Sequence, residues 1–215
     1  MDDLARQTRY WATAGATKTF THPLDAGWLA GVNRSARVLD YGCGYGRTMA
    51  ELCDLGFTDV SGVDISPALV ARGRQTRPDL SFAVIESPPT LTQPAASFDV
   101  IILFAVLTCI PEDDAQRALI AEVSRLLVSG GLLYVSDLRL QTDERNRRRY
   151  AEYAERYGDP YGAFTTDDGA VCRHHHVEHL RTIMSEFDLL RESHIDVSTM
   201  NGRPASAVQL LVRTR

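Results

Sequence analysis

Long apolar runs are missing from this chain. The longest, Val100 to Ile110, is about half the length a membrane-spanning helix needs. Basic charge is not in excess either: 23 Lys and Arg stand against 28 Asp and Glu, for a net charge of -5. That balance leaves no electrostatic footprint for a phosphate backbone or an anionic bilayer, so neither nucleic acid nor membrane is expected as a partner. The cysteines Cys43, Cys53, Cys109 and Cys172 are scattered without C-x-x-C spacing, which suggests neither a disulfide framework nor a zinc site. Reduced thiols fit a cytoplasmic protein. The opening Met1-Asp2-Asp3-Leu4 has no basic stretch followed by an apolar one, so export is not expected. No repeat period and no low-complexity tract appears. What remains, 215 residues with 44% hydrophobic and 24% charged, has the composition of one ordinary folded domain spanning 1–215, as a monomer or homodimer.

The order of elements alternates. Arg37 to Tyr41 reads as a strand that runs into glycines, and Thr48 to Leu55 follows at helical spacing with Gly56 as its stop. Asp59 to Val63 is the next strand. Ser66-Pro67 then supplies an N-cap and a first-turn proline for a helix through about Arg74. Ser81 to Ile85 reads as a third strand. Phe98 to Phe104, apolar almost throughout, reads as a central strand buried on both faces of a parallel sheet. Pro111 to Asp114 opens a helix with the stripe Leu119, Ile120, Val123, Leu126 and Leu127, expected to end at Gly130-Gly131 before a strand Leu132 to Ser136. Val177 to Phe187 reads as a last helix. Leu189 to Val197 and Ser206 to Val212 read as a hairpin turning near Asn201-Gly202. The fold class is therefore α/β: a Rossmann-like seven-stranded sheet, mostly parallel, closed by a C-terminal antiparallel hairpin, with helices on both faces.

Asp40-Tyr41-Gly42-Cys43-Gly44-Tyr45-Gly46 lies between the first strand and the first helix, where strand ends form the ligand crevice of an open α/β sheet. Glycines there let backbone approach a ligand, and the helix start offers free N–H groups. Asp64 comes 22 residues after Gly42 at the end of the second strand, where a carboxylate can accept from both hydroxyls of a ribose. A dinucleotide fingerprint is G-x-G-x-x-G; here the third glycine comes one residue early, which counts against an NAD-dependent oxidoreductase.

These residues resemble the first motif of the class I S-adenosylmethionine-dependent methyltransferases, small-molecule type: acidic-x-Gly-x-Gly-x-Gly, then an acid ending strand two. The similarity runs from about Arg37 to Asp137, with Phe98 to Phe104 similar to the family's fourth motif and Val128-Ser129-Gly130-Gly131 to its Pro-Gly-Gly turn. The resemblance implies S-adenosylmethionine as cofactor and a small-molecule methyl acceptor as partner. By the same resemblance Asp40, Gly42, Gly44 and Gly46 would line the methionine moiety, Asp64 would hold the ribose, Ile65 would pack on adenine, Glu86 would meet the adenine amino group, and Phe104 would flank the methyl.

A sulfonium is already electrophilic, so the protein's task is alignment and exclusion of water, and acceptor residues are sought outside the core. Residues 31–137 are the expected cofactor-binding core, 173–215 the C-terminal helix and hairpin. Residues 1–30 carry Tyr10, Trp11, Lys18, Phe20 and His22 and are read as an N-terminal lid, or else as a helix that only packs on the core. Residues 138–172 are read as a cap. In it Tyr150, Tyr153 and Tyr157 share a helical face, while Arg145, Arg147, Arg148 and Arg149 interleave with Glu144, Glu152 and Glu155 as a solvated face. Arg173-His174-His175-His176 is the least explained run. On an extended strand His174 and His176 point together and His175 away. Three roles are open: a metal site, for which no acidic residue completes a motif; a plain polar role; or acceptor binding. On the last reading His174 or His175 is a base or orienting group, since a neutral histidine can take a hydroxyl or amine proton, and Arg173 holds a carboxylate. Tyr150, Tyr10 and His22 are the further acceptor contacts. The whole reads as methyl transfer to an oxygen or nitrogen of a metabolite, against a non-catalytic protein that binds the adenosyl ligand for sensing or assembly.

Overall fold

The computed structural model describes residues 3–158 and 161–215. Seven strands form one sheet: β1 (Arg37–Tyr41), β2 (Asp59–Asp64), β3 (Ser81–Val84), β4 (Phe98–Phe104), β5 (Leu127–Leu138), β8 (Phe187–Ser198) and β9 (Pro204–Thr214), in the order β3-β2-β1-β4-β5-β9-β8. Strands β1 to β5 run parallel, and β9 is antiparallel to both its neighbours. The chain goes outward from β1 to β3 and then returns to β4 on the other side of β1. That reversal opens a crevice at the carboxyl ends of β1 and β4.

Strand β4 explains why its sequence is apolar at nearly every position. Side chains alternate across a strand, so Ile101 and Leu103 pack with Leu119, Val123 and Leu180 on one face, and Val100 and Ile102 with Met49, Leu52 and Val70 on the other. The first face is covered by α4 (Asp113–Leu126) and α6 (Val177–Ile183), the second by α2 (Arg47–Asp54) and α3 (Pro67–Thr76). The start of α3 is as expected: Ser66 Oγ accepts from Leu69 N at 3.2 Å, and Pro67 follows in the first turn. An N-cap of this kind contributes about 1 kcal/mol.

Three boundaries differ from the sequence reading. Gly130-Gly131 does not stop α4; β5 already begins at Leu127, and the glycines lie where its register against β4 slips, Phe98 opposite Leu127 but Val100 opposite Leu132. Helix α6 ends at Ile183, because Phe187 is the first residue of a long β8 rather than the last apolar position of the helix. The segment 138–172 carries, besides α5 (Glu144–Tyr157), a small hairpin of β6 (Ala163–Thr165) and β7 (Val171–Arg173) turning at Asp167-Asp168-Gly169. The hairpin is tied to the end of β5 by His175 N to Leu138 O at 3.0 Å and Leu140 N to His175 O at 2.8 Å. The N-terminal helix α1 (Asp3–Ala12) lies across it: Gln7 Nε2 donates to Cys109 O at 2.8 Å and to Val171 O. Among the described residues no helix is long and apolar enough to cross a membrane.

Candidate active site

The glycine loop is held by the neighbouring strand. Gly42 N and Cys43 N both donate to Val63 O, at 2.7 and 3.0 Å. Asp64, at the tip of β2, accepts from Gly44 N through Oδ2 and from Ser66 N through Oδ1, each at 2.8 Å. Burial raises its pKa, and those two N–H groups pull it back down. Gly44 has φ 55°, and a Cβ there would lie 2.6 Å from the Phe20 ring, so the loop requires glycine for both conformation and space. Phe20 stacks on Tyr45 with centroids 5.6 Å apart, and the Arg72 guanidinium lies 4.0 Å from the other ring's centre. Asp40, near the end of β1, is the unsatisfied group in this frame. It is buried, its Oδ2 has no hydrogen-bond partner, and burial pushes its carboxyl up to about 7, with Arg47 opposing and Asp64 and Glu51 reinforcing the shift.

A cavity of about 810 Å³ runs from this loop to the cap. Asp40, Gly42, Asp64, Ile65 and Phe104 line it. Gly44 and Gly46 do not; they shape the loop from behind, packed on Phe20 and Phe82. Glu86 lies outside it and is exposed, because alternation after β3 turns Ile85 inward and Glu86 to solvent. The residues present suit the cofactor the resemblance implies. An unpaired buried carboxyl oxygen on Asp40 matches an ammonium, the Asp64 carboxylate has lone pairs left for hydroxyls, and Ile65 adds an apolar wall. Ala105, directly after β4, also lines the cavity with φ 55°, a conformation that costs a non-glycine residue about 1 kcal/mol. It is held there by Ala105 N to Ser136 O at 2.7 Å.

At the far end the Arg173-His174-His175 run divides. His174 faces the cavity, and its Nδ1 lies 2.6 Å from the Tyr150 hydroxyl. Gln141 N donates to that same phenol oxygen at 3.3 Å and the Arg149 guanidinium flanks it, so the phenol proton is directed at Nδ1. Burial and Arg149 press the His174 pKa down to about 3. The ring is thus neutral, with its own proton on Nε2. Tyr150 is buried behind His174 and does not itself line the cavity.

Arg173 and His175 point the other way. Arg173 donates to Pro111 O at 2.8 Å and pairs with Asp113, holding the start of α4. His175 is fully buried outside the cavity, its ring stacked on His179 at 5.7 Å, its Nε2 3.7 Å from Asp137 Oδ1 and both ring nitrogens without a hydrogen bond. Its pKa is driven well down by burial, and Asp137 is pushed up to about 7 for the same reason. His176 does not follow His174 inward. The strand ends at Arg173, and His176 is the exposed residue that precedes α6.

From the N-terminal segment, His22 lines the cavity, shares a 2.8 Å hydrogen bond with Ser136 Oγ and is lowered to about 4 by burial and Arg47. Tyr10 does not line it; its hydroxyl bonds Asp168 at 3.0 Å, while Gln7 and Trp11, one helical turn apart, face inward. Lys18 reaches Asp168 at 2.6 Å. The segment therefore both packs on the core and forms cavity wall.

Arg145, Asn146 and Arg149 also line the cavity, and a reading of α5 as a solvated face misses them. The signal was their i, i+4 spacing: Arg145 and Arg149 share a face with Asn146 and Tyr150, whereas exposed Arg148 pairs with Glu152. Cys43, Cys109 and Cys172 line the wall as thiols, raised by burial, Cys172 to about 12. Among the described residues no group of three or more His, Cys, Asp or Glu side chains converges as a metal site.

Comparison with known proteins agrees with this geometry. A family model described as a methyltransferase domain matches residues 19–192. A ubiquinone biosynthesis O-methyltransferase of Xanthomonas oryzae pv. oryzae is 29% identical over 143 residues, 62% of this chain and 58% of that protein. The chain thus spans little more than half the length of this curated relative. Among solved structures, a SAM-dependent methyltransferase from Methanosarcina mazei superposes with a TM-score of 0.82 at 20% identity, covering 89% of this chain and 98% of its own. Magnesium protoporphyrin IX methyltransferase from Synechocystis PCC 6803, with bound S-adenosylhomocysteine, gives 0.70 at 18% identity over 100% of both chains. The fold, the glycine loop with its two acids, and the match of a family model to most of the chain place this protein in the methyltransferase-domain family.

Proposed function

We propose that the protein transfers a methyl group from S-adenosylmethionine to an oxygen or nitrogen of a small-molecule acceptor, in line. The observation that carries this reading is the continuous cavity, lined by the Asp40 and Asp64 carboxyls beside the glycine loop and by His174, backed by Tyr150, beside the cap. When bound, the cofactor supplies the electrophilic methyl. The chain's own residues supply position. Asp40 accepts from the amino group of the amino-acid tail, Asp64 from the sugar hydroxyls, and Ile65 and Phe104 shape the apolar contacts. Residues 1–30 act as a lid and 138–172 as a cap, with Trp11 and Phe20 keeping water from the cavity. His174, with a proton on Nε2, is an orienting donor to the acceptor rather than its base, and the acceptor's proton leaves to solvent.

The test is incubation of the protein with methyl-labelled cofactor and a small-metabolite extract, followed by identification of the labelled product. Labelled small molecule plus S-adenosylhomocysteine is the expected result. Tight binding of S-adenosylhomocysteine with no label transferred would replace this reading by the non-catalytic one.

A further inference from the structure

The acceptor end holds positive charge with no directly paired carboxylate among the described residues. Arg145 and Arg149 lie one turn apart on the inward face of α5, and Arg203, exposed in the β8–β9 turn, also lines the cavity. Among the described residues, no carboxylate comes within ion-pairing distance of any of the three. Two of the nearby acids are otherwise engaged. Asp143 caps α5, its Oδ1 accepting from Asn146 N at 3.1 Å and its Oδ2 from Asn146 Nδ2. Asp168 is taken by Lys18, Tyr10 and Thr166. Asp167 stands exposed at the mouth.

Arg149 is the most constrained of the three. It is half-buried, its guanidinium lies face-on to Phe164 at 3.3 Å from the ring centre, and its Nε is buried with no hydrogen-bond partner. One turn earlier Asn146 Oδ1 is also buried without a partner and lines the same wall. Next to them stands His174, whose free nitrogen bears a proton by the argument given above. A half-buried guanidinium with no carboxylate partner favours a planar anion accepting from the N–H groups it turns to the cavity. Trp11 and Phe164 add aromatic wall to the cavity.

We infer that the ligand of this end is an apolar or aromatic carboxylic acid whose carboxylate rests on Arg149, with Arg145 adding charge and Asn146 accepting from a neighbouring hydroxyl or amine. Its identity as the methyl acceptor rests on the methyl-transfer reading. A carboxylate matches the fork of a guanidinium through two parallel N–H bonds, which the corresponding amide cannot reproduce.

Calorimetry on the protein loaded with S-adenosylhomocysteine tests this with matched probes: benzoate against benzamide, cinnamate against cinnamamide, indoleacetate against indoleacetamide. In at least one pair the carboxylate is expected to bind about 10-fold more tightly than its amide, the value of one charge-assisted hydrogen bond. Arg149→Gln should bring the pair within about twofold, and Arg149→Lys should keep part of the preference. S-adenosylhomocysteine affinity, unchanged in both variants, certifies that they fold. The inference is overturned if amides bind as well as acids, if the preference survives Arg149→Gln, or if no member of any pair binds. Failure of S-adenosylhomocysteine itself to bind would instead remove the methyl-transfer reading, so the two failures are separable.

Discussion

The two ends of the cavity are built from different materials. The donor end is backbone and strand-tip carboxyls: Gly42 and Cys43 hang from Val63 O, and Asp64 is fixed by Gly44 N and Ser66 N. The acceptor end is side chains from α1, α5, β7 and the β8–β9 turn, elements that pack against the sheet's end or project beyond it. A site made of backbone is dictated by the fold and tolerates little change. A site made of side chains on added segments carries the choice of substrate.

The sharpest way to break this contrast is Asp40→Asn. With the buried acceptor for an ammonium neutralised, S-adenosylhomocysteine affinity by calorimetry should fall about 100-fold, the value of a buried charge-assisted bond of about 3 kcal/mol. The melting temperature of the free protein should hold or rise, since an unpaired buried carboxyl has gone. The same group sets a pH dependence. Its pKa in the fold, about 7, lies above the ordinary 3.8, so ionising it opposes folding, and that cost appears as pH climbs from about 4 through 7. Ligand binding needs the ionised form, so affinity should fall by up to about tenfold per pH unit below 7 in the wild type and stay flat in Asp40→Asn. His22 and His174, near 4 and 3, titrate only at its lower edge and below it.

At the other end, His174→Ala should lower kcat/KM by about 30-fold, roughly 2 kcal/mol, with S-adenosylhomocysteine affinity within twofold. Tyr150→Phe, which removes only the hydroxyl that directs the tautomer, should give a smaller loss, about threefold. Equal loss of donor affinity in either variant would show that the ends are not independent.

Gly44→Ala probes the donor loop by shape alone. A Cβ at φ 55° costs about 1 kcal/mol. It also meets the Phe20 ring, so donor affinity should drop about tenfold without change in acceptor preference. Smallest of all is His175→Leu. Its ring nitrogens are unpaired in the core, so an apolar replacement should leave turnover within about twofold and the melting temperature at or above wild type.

How much of this was legible in the sequence follows the same divide. The strand-loop-helix alternation, the both-face burial of Phe98 to Phe104 and the position of Asp64 rest on local periodicity and turn chemistry, which a single sequence displays. The expected hairpin is present too, turning where Thr199 N bonds Arg203 O at 2.7 Å beside Gly202. Alternation also foretold that His174 and His175 face opposite ways, but not which side holds the cavity, because that depends on where β7 docks against β5. Arg173 could not be read as an anchor for Pro111 and Asp113, contacts about sixty residues distant in the chain. Likewise, charge interleaved along α5 looks the same whether its inner face meets water or a pocket; only packing against Phe164 turns Arg149 inward. Gly130-Gly131 misled for a third reason: a glycine pair serves a helix stop and a bulge equally well.

The small hairpin of β6 and β7 joins the main sheet through little more than the pair of hydrogen bonds around His175. Because the great sheet's own ladder does not run through it, change at its cavity-facing side chains Phe164 and Cys172 can revise what the protein recognises while the donor loop is inherited intact. New specificities can therefore arise here by exchange of wall residues, within the limits that the burial of Ala163, Phe164, Val171 and Cys172 sets.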